Sequence, residues 1–128
     1  MDNASKKILV VDDDEEILVH LSQILRRARY EVITTTTGTG ALQLAREYKP
    51  QLLLLDIMLP DMDGGEVAAH LLEDAQTEKI PILFLSGVVI KKEENYDGAK
   101  VGEHYMIAKP IKAEDLLKTI HQIIGSPA

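Results

Sequence analysis

The chain has 128 residues, of which 45% are hydrophobic and only 4% aromatic, a composition typical of one globular domain with an aliphatic core. The lack of cysteine excludes disulfides, thiolate zinc sites and a cysteine nucleophile, and the net charge of −7 with scattered basic residues argues against direct nucleic-acid binding. Every apolar run is too short to span a membrane, and the polar start MDNASKK is no signal peptide, so we expect a cytoplasmic protein without membrane insertion. We expect a single domain over residues 1–128, with its core at about 6–124.

The first half of the chain predicts two units of a strand followed by a helix. The first strand, Ile8 to Val11, precedes an acidic helix start and an apolar helical face made of Ile17, Leu18, Leu21, Ile24, Leu25 and Ala28. The second strand, Glu31 to Thr35, precedes a helix from about Gly40 to Glu47.

The second half predicts three further strands. The third strand, Leu52 to Leu55, precedes a helix from Gly65 to about Ala75. The fourth strand, Ile82 to Leu85, precedes residues 90–104, where two glycines and the lack of an apolar stripe indicate a short or mobile helix. The fifth strand, Tyr105 to Ala108, precedes a helix that presents Leu116, Leu117, Ile120, Ile123 and Ile124 and ends at Gly125 and Pro127.

Three of these strands, ILVV, LLLL and ILFL, do not alternate with polar residues. Such runs are typical of strands that helices bury on both faces. The alternation of strands and helices therefore predicts an α/β fold with a parallel sheet between two helical layers.

Polar side chains follow four of the predicted strands. Asp12 and Asp13 follow the first strand, Asp56 the third, Ser86 the fourth and Lys109 the fifth. Ligands of open parallel sheets bind beyond the carboxyl ends of the strands, so we expect these five side chains to line one site. Crowded carboxylates repel one another unless a hard cation binds their oxygens, and the set therefore suits a divalent cation and a phosphoryl group.

Four segments carry a family resemblance: ILVVDDDEEI, LLLLDIMLPDMDGGE, ILFLSG and IAKPI. By these segments the chain resembles the receiver domain of bacterial two-component response regulators, of the chemotaxis-regulator-like superfamily, over nearly its whole length. The resemblance implies a flavodoxin-like, doubly wound sheet of five parallel strands in the order 2-1-3-4-5. It also implies a phosphoacceptor in two-component signal transduction, whose surface switches to control an output.

The resemblance assigns the phosphoacceptor and the metal ligands. Asp56 resembles the aspartate that attacks a phosphohistidine of a histidine kinase or phosphotransfer protein and becomes an acyl phosphate. Asp12, Asp13 and Asp56 resemble the carboxylates that hold Mg²⁺, with Asp12 acting mainly through water. The backbone carbonyl of Met58 completes the protein's ligands in this family.

The resemblance also assigns the groups around the phosphoryl oxygens. Lys109 resembles the lysine that pairs with these oxygens, and Ser86 the hydroxyl that hydrogen-bonds one of them after the switch. Gly87, where many members carry alanine, leaves the approach open. Pro110 resembles the family proline that follows a cis peptide bond, which would aim Lys109 into the site.

One position departs from the family. Ser86 and Lys109 are one residue further apart than is usual, and the switch aromatic of the family falls on Met106, with Tyr105 one residue earlier. Either a bulge in the fifth strand lets Tyr105 serve as the switch, or the aromatic switch is absent.

Alternative interpretations remain open at this point. The acidic run from Asp12 to Glu16 also suits a helix N-terminus, and Asp61 and Asp63 suit turn and capping positions better than metal ligation. The chain could be a degenerate receiver that serves as a protein-binding module or, less in keeping with its motifs, a small phosphatase. We expect no enzyme activity beyond self-catalysed gain and loss of the phosphoryl group.

The sequence leaves the wider context undetermined. The resemblance is compatible with a phosphorylation-dependent dimer, and it names neither the cognate kinase nor the output domain or protein. A free-standing regulator and a receiver from a longer regulator or a hybrid histidine kinase fit it equally well.

Overall fold

The computed structural model of the chain describes residues 6–87, 99–101 and 104–127. The helices and strands in these residues are, in chain order, β1 (Lys7–Val11), α1 (Glu15–Arg27), β2 (Glu31–Thr35), α2 (Gly38–Tyr48), β3 (Leu52–Asp56), α3 (Gly64–Leu72), β4 (Ile82–Ser86), β5 (Ala99–Val101), β6 (His104–Ala108) and α4 (Ala113–Ile124). Among the helices of these residues, none has both the length and the apolar character that crossing a bilayer requires.

The strands form one sheet in the order β2-β1-β3-β4-β6-β5. Strands β1, β2, β3, β4 and β6 pair in parallel, which confirms the predicted order 2-1-3-4-5 because β6 is the fifth parallel strand. The short strand β5 pairs antiparallel with β6 at the edge of the sheet. The helix predicted within residues 90–104 is therefore wrong for 99–101 and 104, and residues 90–98 and 102–103 lie outside the described part of the chain. Three strand residues between two glycines are too few to show a period in the sequence.

Helices bury the sheet on both faces, as the unbroken apolar strands predict. Residues 8 to 11 of β1 and 52 to 55 of β3 have no exposed surface at all. Ile8 and Leu54 belong to the core layer that includes residues of α1 and α4, and Leu9 and Leu55 to the layer that includes residues of α2 and α3. Two buried faces hold β1 and β3 firmly, so the side chains at their ends occupy well-defined positions.

The N-cap residues of two helices, α1 and α3, are acidic. Asp14 is the N-cap of α1, where its Oδ1 accepts a hydrogen bond of 2.9 Å from the amide of Glu16. Asp63 begins α3 with a capping box, in which its Oδ1 accepts from the amide of Glu66 and the Glu66 carboxylate accepts from the amide of Asp63. The capping interpretation of Asp63 is thereby confirmed.

Helix α3 ends at Leu72, three residues before the predicted end at Ala75. The hydroxyl of Thr77, which is 2% exposed, donates a hydrogen bond of 2.7 Å to the carbonyl of Leu71. This bond satisfies a carbonyl at the helix end and turns the chain back towards β4. The apolar pattern of the sequence does not contain this contact, and the predicted helix was therefore too long.

Gly64 lies against the backbone that carries the end of β3. A Cβ atom at Gly64 would lie 2.9 Å from the carbonyl oxygen of Asp56 and 2.9 Å from the Cα atom of Ile57. Its amide also donates to the carbonyl of Ile57 at 2.6 Å. The start of α3 therefore packs directly on the strand end, with no room for a side chain.

We predict that Gly64→Ala lowers the free energy of unfolding by about 1–3 kcal/mol, because the methyl group meets rigid backbone. Gly87→Ala is the matched control, since a Cβ atom at Gly87 would meet nothing within 4 Å, and it should change the stability by less than about 0.5 kcal/mol. Urea unfolding followed by circular dichroism measures both variants. Equal effects of the two substitutions would contradict the close approach at Gly64.

Candidate functional site

The five polar residues predicted to share a site do lie together at the carboxyl edge of the sheet. Asp12 follows β1, Asp56 ends β3, Ser86 ends β4, and Lys109 follows β6. Parallel pairing brings these ends side by side, with Asp56 opposite Leu85 and Ser86 opposite Ala108. A cleft of about 540 Å³ opens there, and its lining residues are Asp13, Asp56, Ile57, Met58, Ser86, Gly87 and Lys109.

Three carboxylates form the acidic part of the site. Asp12, Asp13 and Asp56 each offer an oxygen, and these oxygens lie within 4.8 Å of one another. Asp12 has no exposed surface and Asp56 is 6% exposed, whereas Asp13 is open to solvent. Two buried carboxylate oxygens beside one accessible carboxylate oxygen form a suitable ligand set for a hard divalent cation that keeps some of its water.

Lys109 lies between the two buried carboxylates. Its Nζ is 2.9 Å from Oδ2 of Asp12 and 3.5 Å from Oδ1 of Asp56. Its amide donates to the carbonyl of Ser86 at 2.7 Å, which attaches the lysine backbone to the end of β4. The Lys109–Pro110 peptide bond is cis, as the resemblance implied.

One oxygen of Asp12 retains bonding capacity. Oδ1 accepts a hydrogen bond of 2.9 Å from the amide of Asp14. Oδ2 is buried and, within the described residues, accepts no well-aligned hydrogen bond, although the ammonium of Lys109 is at ion-pair distance. A buried acceptor with a free lone pair suits a cation or a water that the cation holds, so the residues present fit Mg²⁺.

Crowding shifts the protonation equilibria of the site. Burial raises the pKa of Asp56, and the neighbouring charge of Asp12 raises it further, while Lys109 and a hydrogen bond from the backbone amide of Met58 oppose the shift. Burial alone would lower the pKa of Lys109, but the two carboxylates outweigh it and the pKa of the lysine is raised. The lysine therefore stays charged. Its single positive charge cannot neutralise the three carboxylates of the site.

The residues around the cleft leave its mouth open. Gly87 lines the cleft, and a Cβ atom there would meet no described atom within 4 Å. The side chain of Met58 is 71% exposed, while its backbone amide bonds to the carboxylate of Asp56. Ser86 is 3% exposed at the cleft wall. A small anionic group therefore has direct access to Asp56.

The two candidates for the switch residue lie on opposite faces of β6. The pairing of β4 with β6 runs without a break from Leu83 and Tyr105 to Ser86 and Ala108, so these described strands contain no bulge. Tyr105 packs against the core layer of α1 and α4, and Met106 lies on the opposite face of the strand. The described strands therefore lack the bulge on which a switch role for Tyr105 would depend.

Asp61 caps a helix that is distant from it in the sequence. Its Oδ1 accepts from the amide of Gly38 at 2.8 Å, and its Oδ2 accepts from the amide and the hydroxyl of Thr39 at 2.9 and 2.8 Å. These hydrogen bonds lower the pKa of Asp61 from its usual 3.8 to about 2. Asp61 does act as a cap, but of α2, which begins 23 residues earlier, and no local signal identifies that partner.

Comparison with known proteins yields consistent matches. The chain matches the family described as the response regulator receiver domain over residues 8–121. It is 38% identical over 123 residues to the alkaline phosphatase synthesis transcriptional regulatory protein PhoP of Bacillus subtilis, with 94% of this chain covered but only 49% of PhoP. The chain thus spans about half the length of that relative. It is 33% identical over 121 residues to the polar-differentiation response regulator DivK of Brucella ovis, with 94% and 98% covered.

A solved structure shares the fold. The receiver domain of the sensor histidine kinase PA1611 from Pseudomonas aeruginosa PAO1 superposes with a TM-score of 0.82 at 26% identity, over 96% of this chain and 100% of that one. That structure is described with a magnesium ion coordinated in the active site cleft.

We predict a pH-dependent contribution of Asp61 to stability. Because its pKa is lowered in the folded chain, the ionised carboxylate stabilises the fold above pH 3.8, and this contribution is lost as the pH falls towards about 2. Asp61→Asn should therefore be less stable than wild type near neutral pH, and the difference should vanish at about pH 2. Urea unfolding across this pH range measures it.

Glu47→Gln, on the exposed surface of α2, is the control for this pH series. Its stability should follow that of the wild type as the pH is lowered. A constant difference between wild type and Asp61→Asn over the whole range would contradict the role of the ionised carboxylate.

Proposed function

Since the chain belongs to the response regulator receiver family, we propose that Asp56 is its phosphoacceptor. A carboxylate oxygen of Asp56 attacks the phosphorus atom of a phosphohistidine on a histidine kinase or phosphotransfer protein. The new O–P bond forms as the P–N bond breaks, and the imidazole leaves with the electron pair of that bond. The observation that carries this proposal is the convergence of Asp56 with Asp12, Asp13 and Lys109 at one accessible cleft.

The geometry around Asp56 suits phosphoryl transfer, which depends mainly on positioning and charge neutralisation. The end of a buried strand holds the carboxylate, and the amide of Met58 orients it through a hydrogen bond. The ammonium of Lys109, 3.5 Å from Asp56, is available to pair with phosphoryl oxygens. We assign Lys109 to this electrostatic role.

We assign the Mg²⁺ site to Asp12, Asp13 and Asp56, with the backbone carbonyl of Met58 as a further ligand. When bound, the ion supplies positive charge that neutralises phosphoryl oxygens. The support is the cluster of three carboxylates, the free lone pair on the buried Asp12 oxygen, and the magnesium ion described in the related PA1611 receiver domain. Exposed Asp13 is the direct ligand in this proposal, while Asp12 acts mainly through water.

The switch follows from the charge that phosphorylation adds, roughly two negative charges. We assign Ser86, at the cleft wall, as the hydroxyl that hydrogen-bonds a phosphoryl oxygen in the modified state. With β6 unbulged, we propose that Met106 occupies the switch position and that the aromatic switch is absent. The added charge would then act through the Ser86 contact on the segment that follows β4.

We propose that the whole chain is one receiver domain with its core at about residues 6–124. Receiver domains interact with histidine kinases or phosphotransfer proteins and with output domains, so we expect one partner of each kind. Phosphoryl gain and loss would be self-catalysed, without turnover of a separate substrate. A cytoplasmic location and a phosphorylation-dependent dimer stay predictions.

We predict that wild type gains the mass of one phosphoryl group when incubated with acetyl phosphate and Mg²⁺, and that Asp56→Asn does not. The amide is isosteric but is a poor nucleophile, so the acceptor atom is lost without a change in shape. Intact-mass spectrometry measures the modification. Asp74→Asn, at a partly exposed acid beyond α3, should be modified like the wild type, and persistent modification of Asp56→Asn would remove Asp56 from its role.

We also predict that Asp13→Ala lowers the Mg²⁺ affinity by at least about tenfold, because it deletes a direct ligand. The fold should be intact, since Asp13 is exposed. Calorimetric titration with Mg²⁺ measures the affinity. Glu15→Ala removes the same charge two residues away and should bind Mg²⁺ like the wild type, so equal affinities of all three proteins would contradict the assignment of Asp13.

A further inference from the structure

The loop between β3 and α3, residues 57–63, is a short hairpin that starts at the phosphoacceptor. Met58 and Asp63 form an antiparallel bridge at its base. The amide of Gly64 closes the same end by donating to the carbonyl of Ile57 at 2.6 Å. The tip of the hairpin is then residues 59–62, which include Asp61.

The base of this hairpin is in contact with the reactive carboxylate. The amide of Met58 donates a hydrogen bond to the side chain of Asp56. The close approach of Gly64 to the Asp56 backbone holds the same base from the helix side. Any shift of the hairpin therefore changes both the orientation of Asp56 and the position of the Met58 backbone.

The tip of the hairpin is attached to a different element, the start of α2. Asp61 accepts hydrogen bonds from Gly38 and Thr39, whose amides are the first two of the helix. The N-cap residue Thr37 cannot replace this contact, because its hydroxyl already accepts from the next amide, that of Gly40. A carboxylate at a helix N-terminus is also favoured by the helix dipole.

Packing supports the same attachment from a second side. A Cβ atom at Gly38 would collide with Cγ of Met62 and would lie 3.0 Å from both Sδ of Met62 and Cγ2 of Val67. Met62 is next to Asp61, so the hairpin tip lies directly on the first residue of α2. The helix start and the hairpin tip therefore form one close contact.

From these contacts we propose that Asp61 is a positioning residue for the phosphorylation site. Its carboxylate fixes the hairpin tip to α2 and thereby holds the Met58 backbone in place for Asp56 and for the metal. The inference rests on the proposed function, because it uses the assignment of the Met58 carbonyl to Mg²⁺. Loss of the Asp61 contacts would let the tip move and would weaken metal binding without deleting a ligand.

The test compares Asp61→Ala and Asp61→Asn with a matched control, Asp74→Ala. Asp74 forms an ion pair at the other end of α2, where its Oδ2 lies 3.0 Å from Nε of Arg46. The measurement is the rate of modification by acetyl phosphate as a function of Mg²⁺ concentration. Each variant is followed to saturating Mg²⁺, which separates metal affinity from the maximal rate.

Asp61→Ala should raise the half-saturating Mg²⁺ concentration by about tenfold, the lower end of the effect of removing a supporting partner of a metal ligand. Its maximal rate should stay close to that of wild type, because Asp56 and Lys109 are unchanged. Asp61→Asn should show a smaller rise, since the amide oxygen can still accept from Gly38. Asp74→Ala should match wild type in both quantities.

A spectroscopic measurement gives a second readout. The backbone amide resonance of Met58 should shift in Asp61→Ala and keep its wild-type position in Asp74→Ala. Equal half-saturating concentrations for wild type and both Asp61 variants would overturn this inference alone. Equal losses in Asp61→Ala and Asp74→Ala would reduce the role of Asp61 to general stability, and a wild-type chain that binds no Mg²⁺ would overturn the proposed function as well.

Discussion

The site depends on two buried carboxylates, Asp12 and Asp56, that are held next to each other at the edge of the sheet. Their mutual repulsion and their loss of water both oppose burial, and the ammonium of Lys109 between them is the main compensation that the described residues provide. Neither aspartate can move away, because β1 and β3 are buried on both faces and lie side by side. The fold thereby maintains a concentration of negative charge that an exposed surface would disperse.

Lys109 compensates the two buried carboxylates only in part, and the remaining negative charge indicates a function. One lone pair of the Asp12 carboxylate is unused among the described residues, and burial and Asp12 raise the pKa of Asp56. A purely structural ion pair is normally completed by further hydrogen bonds. Here the unsatisfied Asp12 oxygen lies beside Lys109, which lines an open cleft, and a hard cation bound there would complete the charge balance.

Family features identified in the sequence account for most of the site. Asp12, Asp56, Ser86 and Lys109 each follow an apolar strand, and the rule for parallel sheets is enough to expect them at one edge. The strand order and the individual roles came from the resemblance to receiver domains. The end of α3 and the strand β5 escaped prediction, because Thr77 determines the end of α3 from outside the helix and three residues of β5 show no period.

The sequence by itself determined which segments form the five parallel strands and which polar residues lie at their ends, since burial on two faces and helical spacing are local patterns. Only the tertiary structure decided which distant atoms meet. Lys109 approaches Asp12 more closely than Asp56, Tyr105 packs towards α1 and α4, and Asp61 caps a helix that begins 23 residues before it. Such contacts depend on how the helices and loops pack around the sheet. A short polar motif does not identify the distant residue that it contacts in the folded chain.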